Sequence, residues 1–184
     1  NGTGSAPAVN GVTYNGKSLN LVDSATKGSS NPKYGIYLYS LANPPAGTAS
    51  VSVSWSGGNS CIVGVNTFSN VDQTLPLAAT NTAAPGTAVT VSSATNQLVF
   101  GAVYNNGNVG LATGQNATLR WTNNFAGSYY AIAGTVPGSN APNTTISWTA
   151  SAYSVGVSIN PATTFIAGGG GPSLNATTFA QTPA

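Results

Sequence analysis

Charge is nearly absent from this chain. Of its 184 residues four are Lys or Arg, two are Asp or Glu, and none is histidine. The six are Lys17, Lys27, Lys33, Arg120, Asp23 and Asp72. They make up 3% of the chain, against about 25% in an ordinary soluble domain. Without histidine a Ser-His-Asp triad is excluded, and zinc and copper lose a principal ligand. Asp23 and Asp72 are expected in different loops, a poor basis for the paired carboxylates of a glycosidase. The three lysines sit in turn-like, polar surroundings, not buried beside a serine as a Ser-Lys dyad requires. Four scattered cations cannot neutralise a row of phosphates, so nucleic acid is not an expected partner. The sequence therefore predicts no enzymatic activity and implies no cofactor and no metal.

Other absences narrow the setting. There is one cysteine, Cys61, and no methionine. A disulfide within the chain is excluded; Cys61, inside the apolar run Cys61-Ile62-Val63-Gly64-Val65, reads first as a small buried hydrophobe and second as a partner in a disulfide between chains. Oxidants and trypsin-like proteases find few targets, which suits a secreted, extracellular or cell-surface protein. No apolar run reaches the ~18 residues of a membrane helix, so no membrane insertion is expected. Residues Asn1-Gly2-Thr3-Gly4-Ser5 show no leader peptide, so a secreted chain would be the processed form.

What fills the chain is Ser, Thr, Asn, Gly and Ala around well-spaced β-branched and aromatic residues, with 41% apolar residues overall. The periodicity is that of strands throughout. In Val12-Thr13-Tyr14-Asn15-Gly16-Lys17-Ser18-Leu19, Asn-Gly between two extended runs is a strong hairpin signal. Tyr34 to Tyr39 reads as a strand, and Asn43-Pro44-Pro45-Ala46-Gly47-Thr48 as a turn. Ser50 to Ser56 alternates, which aims Val51, Val53 and Trp55 at a core. Cys61 to Phe68 is apolar on both faces, as in a central strand. Further strands are predicted over 88–92, 97–104, 118–122, 128–136, 144–148 and 153–159. Strands at this spacing, separated by turn residues, predict an all-β fold: an antiparallel β-sandwich or jelly roll. Composition shifts at Pro161. The division expected is a β-sandwich domain over 1–162 and a C-terminal extended segment over 163–184, hinged at Gly168 to Gly171. That segment is either a mobile tail or a strand that pairs elsewhere.

Several motifs together resemble a β-sandwich domain of bacterial secreted and surface proteins. They are Val12-Thr13-Tyr14-Asn15-Gly16, Asn43-Pro44-Pro45…Gly47-Thr48, Val51…Val53…Trp55-Ser56-Gly57 and Gly64-Val65…Phe68…Asn70-Val71-Asp72-Gln73-Thr74…Pro76. Trp148 and Val155-Gly156-Val157…Pro161-Ala162 extend the likeness, which covers roughly residues 8 to 162. It implies a fold and an extracellular setting without catalysis. Members usually carry one or two strands ahead of the Val-Thr-Tyr-Asn-Gly hairpin, whereas here only about ten residues precede it. A missing six-residue strand removes about three inward side chains, roughly 5–9 kcal/mol of burial, which rivals the ~5–15 kcal/mol stability of a whole domain. It also leaves unpaired edges. Either the C-terminal segment folds back to fill the gap, or the same segment of a neighbour enters it.

The expected function is a structural subunit of a homopolymeric filament or surface layer, joined by β-strand complementation, with the chain itself as partner. Phe165, Ile166, Leu174, Ala176, Thr178 and Phe179 are the candidate interface residues. A carbohydrate-binding module is the second expectation: Tyr37 and Tyr39 share one strand face, Tyr129 and Tyr130 add aromatic surface, and exposed rings stack on glycans. A jelly-roll capsid or fibre protein is the third. Asp72 with Asn70 could ligate calcium, though an aspartate in that position more simply organises its own turn. Asn1, Asn116, Asn143 and Asn175 match the Asn-X-Ser/Thr acceptor pattern for glycosylation.

Overall fold

The computed structural model describes residues 7–27, 33–57, 60–125 and 127–162, together with the backbone of 175–181. Among the described residues there is no helix. The strands are β1 (Ala8–Tyr14), β2 (Lys17–Ser18), β3 (Asn20–Lys27), β4 (Tyr34–Ser40), β5 (Val51–Ser56), β6 (Val63–Ser69), β7 (Leu77–Ser92), β8 (Leu98–Asn106), β9 (Thr118–Phe125), β10 (Tyr129–Pro137), β11 (Asn143–Ile159) and β12 (Asn175–Gln181). The fold is all-β and antiparallel, as the alternation of the sequence predicts.

The centre is a five-stranded sheet in the order β7-β11-β8-β10-β9. Strand β8 lies in its middle because its residues are apolar on both faces: Val99 and Val103 point one way, Phe100 and Ala102 the other, and all four are buried. The sequence predicts two separate strands within β11 and only the second half of β7. Instead β7 and β11 form one long ribbon whose register breaks between Ser147 and Ala152. Residues Ser154 to Ile159 of β11 lie in the sheet beside β8. The other half of the ribbon, Asn143 to Ser147 against Ala88 to Ser92, packs on the face that carries Val99 and Val103.

Three glycines make that packing close. Gly134, Gly101 and Gly156 stand side by side on β10, β8 and β11. A Cβ on Gly101 would sit 2.7 Å from Ile146 Cγ2, one on Gly156 2.7 Å from Val91 Cγ2, and one on Gly134 3.1 Å from Leu111 Cδ2. The bare row is thus a trough that receives Ile146, Val91, Val89 and Leu111. Val89, Val91, Val99, Val103, Ile132 and Ile146 are essentially inaccessible there. At the break, the Gln115 amide takes the place of a ladder strand: its Oε1 accepts the Ser147 N–H (2.9 Å) and its Nε2 donates to the Ser147 carbonyl (2.7 Å).

The opposite face of the sheet carries Phe100, Ala102, Ala133, Val155, Val157 and Ile159. Val22 of β3, Ile36 and Leu38 of β4, and Phe68 of β6 pack on it. The outer layer consists of three ladders, β3-β4, β2-β1-β5 and β12-β6. Asn15 (φ 47°) and Gly16 (φ 74°) close the β1–β2 hairpin in left-handed geometry, as Asn-Gly requires. The strand predicted as central from Cys61 begins at Val63 and, among the described residues, has its ladder with β12 alone.

Gly101→Ala and Gly156→Ala should each lower the unfolding free energy by about 1–3 kcal/mol in urea titrations, through overpacking. Gly156→Ala combined with Val91→Ala should cost less than the sum of the two changes, because the atom removed is the one the new Cβ meets. Additive losses would show that overlap with Val91 is not the reason for glycine.

Candidate functional site: an open cleft and a C-terminal strand

The two faces of the central sheet are closed to different degrees. The face under the folded ribbon is sealed. On the other, a cleft of about 1690 Å³ opens between the outer ladders and the sheet, with Val12, Leu38, Val53, Val65 and Phe100 among its lining residues. A six-residue strand, ~20 Å long, takes roughly 1000 Å³ at ~5 Å strand spacing and ~10 Å between sheets. The cleft therefore exceeds the ~300–1,000 Å³ of a small-molecule pocket and has the scale of a strand or two. The apolar row of β5, predicted as core, lines this cleft: Val51 and Val53 are half-buried and Trp55 is 38% exposed. All seven residues of β4 are likewise half-buried. The alternation of β5 marks an apolar face correctly; what covers that face is a separate matter.

Trp121 of β9 packs against the outer layer. Its indole lies against the backbone of β6 at Gly64, where any Cβ would overlap the ring. Among the described residues its buried Nε1 has no hydrogen-bond partner, and neither has that of Trp148 in the sealed core, a rare state for a buried donor.

Strand β12 lies on the edge of β6 in antiparallel register from Asn175 opposite Ser69 to Gln181 opposite Val63. Ala176 stands opposite Phe68, Thr178 opposite Asn66 and Phe179 opposite Val65. The body of the chain ends its own ladder next door: Val71 bridges to Pro161, and the Ala162 N–H donates to the Asn70 carbonyl at 2.7 Å. The chain thus leaves beside Asn70 and is back beside Ser69 at Asn175, with residues 163–174 in between. Phe165, Ile166 and Leu174 fall outside the described residues.

The four tyrosines singled out in the sequence do not share one platform. Ile36 and Leu38 pack on the core while Tyr37 and Tyr39 line the cleft, and the Tyr37 hydroxyl donates to the Pro7 carbonyl at 2.6 Å. Tyr129 also lines the cleft, but Tyr130 packs on the valine cluster of the opposite face. A second aromatic group went unnoticed in the sequence. Tyr34, Tyr104 and Tyr153 come from three strands and meet at one end of the sheet. Their shared register could be seen only once β8 and β11 were aligned, with Tyr153 opposite Tyr104. Burial first, then the neighbouring phenols Tyr129 and Tyr34, pushes Tyr104 far above the ordinary tyrosine range; Tyr34 and Tyr37 are raised by burial as well.

Asp72 organises its own turn. Its Oδ1 accepts the N–H groups of Thr74 (2.8 Å) and Leu75 (3.0 Å), and these bonds hold its carboxyl below the usual aspartate value. Asp23, expected in a loop, lies in strand β3 instead, and its Oδ1 accepts the N–H of Ser24. No group of three metal-ligating side chains occurs among the described residues. Cys61 is half-buried in the cleft wall, and burial raises its thiol. Asn116 and Asn143 are exposed, Asn175 opens β12, and Asn1 lies outside the described residues. Among the described residues no helix is long and apolar enough to cross a membrane. Comparison of the chain with protein-family models, curated proteins and solved structures finds no match.

Two titrations follow. The native state holds the Tyr104 proton more tightly than the unfolded chain, so its stability contribution is full below pH ~10 and declines as pH rises past the ordinary tyrosine value. Tyr104→Phe should flatten the alkaline fall in melting temperature; an unchanged fall would exclude Tyr104 as its source. Asp72 acts in the opposite sense: its contribution is present above pH ~4 and is lost as pH drops through the lowered native value. Asp72→Ala should remove that part of the acid slope in the same melting series.

Proposed function

We propose that this protein is an extracellular structural subunit that assembles with copies of itself by exchange of its C-terminal strand. The observation that carries this is the β12-β6 ladder: β6 takes its ladder partner from a segment beyond the glycine run, attached through twelve residues, 163–174. Twelve residues reach at most ~40 Å, enough for the same segment to reach β6 of an adjoining subunit. Exchange of this kind is head-to-tail. Where the rotation between subunits does not close, it yields a filament or layer.

Concentration decides between the two pairings. The ladder is the same whichever chain supplies β12, so its hydrogen bonds do not discriminate. A tether of only twelve residues presents its own strand at an effective concentration on the order of mM. Self-pairing then holds in dilute solution, and exchange needs crowding or a subunit already displaying an empty edge. The open cleft and the poverty of charge support the same function, since a near-neutral surface offers little repulsion between neighbours. The resemblance of residues 8–162 to secreted β-sandwich domains supports the extracellular setting.

A glycan-binding role draws less support, because Tyr37, Tyr39, Tyr129 and Tyr130 are divided between two faces of the sheet. Catalysis draws none: both aspartates accept local backbone N–H groups.

Thr67 and Thr177 are directly opposed in the ladder, which gives a test. With Cys61 replaced by alanine, chains carrying Thr67→Cys alone and Thr177→Cys alone are mixed at high concentration and oxidised. A covalent heterodimer is expected, with polymers visible by negative-stain microscopy, and chains ending at Ala162 should form neither. Polymers from the truncated chain, or no heterodimer at any concentration, would overturn strand exchange.

A further inference from the structure

Four tyrosines and a phenylalanine form a continuous row of rings at one end of the central sheet. Tyr34 of β4 stands 4.9 Å from Tyr104 of β8, centroid to centroid, with planes tilted by 54°. It is also 5.0 Å from Tyr153 of β11, edge to face at 89°. Tyr104 stacks on Tyr129 at 6.5 Å, and Tyr129 is 6.5 Å from Phe125. The Lys27 ammonium lies 5.4 Å from the Tyr34 ring centre. Tilted and edge-on pairs at these distances are favourable aromatic contacts. The row does not make the flat platform on which a sugar stacks. It does something else: it brings a phenol from the outer layer against two phenols of the central sheet, across a boundary where β4 has no ladder with either β8 or β11.

The rest of the chain makes this group chemically conspicuous. There is no methionine or histidine, and the single thiol, Cys61, is half-buried. The sulfur sinks that usually take up oxidising equivalents are thus scarce.

We propose that Tyr34, with Tyr104 or Tyr153, is a site of oxidative phenol coupling that joins the outer layer to the central sheet by a carbon–carbon bond. An external one-electron oxidant, such as a peroxidase consuming peroxide, removes one electron from each of two phenols, and each phenol releases its hydroxyl proton. The two phenoxyl radicals join through ring carbons ortho to oxygen. The hydrogens on those carbons move to the oxygens as the rings regain aromaticity. The protein loses two electrons and two protons in all, and the oxidant takes up both electrons. The product is a covalent staple in a chain whose lone cysteine cannot form one internally. This site is independent of strand exchange, since none of its residues lies on β6 or β12.

The two aspartates supply the assay. A protease that cuts before aspartate divides the chain into 1–22, 23–71 and 72–184, which separates Tyr34 from both of its partners. The full-length protein, dilute, is oxidised with peroxidase and peroxide, isolated as monomer, denatured and cut. Fragments 23–71 and 72–184 should stay joined, with the mass of the pair less two hydrogens and the blue fluorescence of a biphenol. Tyr34→Phe keeps the ring and should abolish the joined product. Tyr104→Phe and Tyr153→Phe should each leave part of it, and the double variant none. Separate fragments from the oxidised wild type would overturn the proposal. So would a joined product undiminished in Tyr34→Phe, or one found only in covalent dimers.

Discussion

Everything in this fold depends on how closely the long ribbon lies against its own sheet. Ile146, Val91 and Leu111 occupy the space that Cβ atoms would fill on Gly101, Gly156 and Gly134. Because three adjacent strands are bare at the same level, the returning half of β7 and β11 can settle into them. The apolar face beneath is then covered by residues of the same two strands. The chain builds a sealed core from strands β7 to β11 without the outer ladders. Those ladders, β3-β4, β2-β1-β5 and β12-β6, need only decorate the second face, and they do so loosely.

With so few ions available, neutral groups carry the polar organisation. Ser93 and Thr144 share a 2.6 Å hydroxyl bond in the buried end of the ribbon, and Thr90 and Thr145 a 2.8 Å bond on its outer side. Even the arginine follows this pattern: Arg120 Nε donates to the Thr135 hydroxyl at 2.7 Å. Hydroxyl and amide bonds need no counter-ion and are not screened by salt. They also let Thr and Ser serve as strand formers and hydrogen-bond partners at once. That accounts for a composition that holds a β fold together at 3% charge.

Much of the fold was legible in the sequence, and the limits are instructive. Asn15-Gly16 fixes its turn, because both residues must adopt positive φ, and the Asp72 turn follows from the reach of a short carboxylate. The alternation of Val51, Val53 and Trp55 correctly marks one apolar face. It could not tell a sealed core from an open cleft, since period-two patterning encodes sidedness and says nothing of the layer beyond. The division of β11 into two strands failed for a related reason: the apolar patterns of 144–148 and 153–159 stop short of each other, yet the ribbon passes between them with a register break. The glycine row and the Tyr34–Tyr104–Tyr153 group were invisible because each depends on lateral register between strands that lie far apart in the chain. Aligning Gly101 with both Gly134 and Gly156 requires the sheet order, which local pattern does not supply.

The meeting of Ala162 with Asn70 and of Asn175 with Ser69 has a thermodynamic corollary. A strand that departs and returns at adjacent rungs leaves the same bonds whether it comes home or goes visiting. Under the proposed exchange, conversion between the self-contained and the shared forms would be nearly athermal, governed by mass action and by the time needed to peel one strand away. A freshly released molecule would travel with its sticky edge already sheathed.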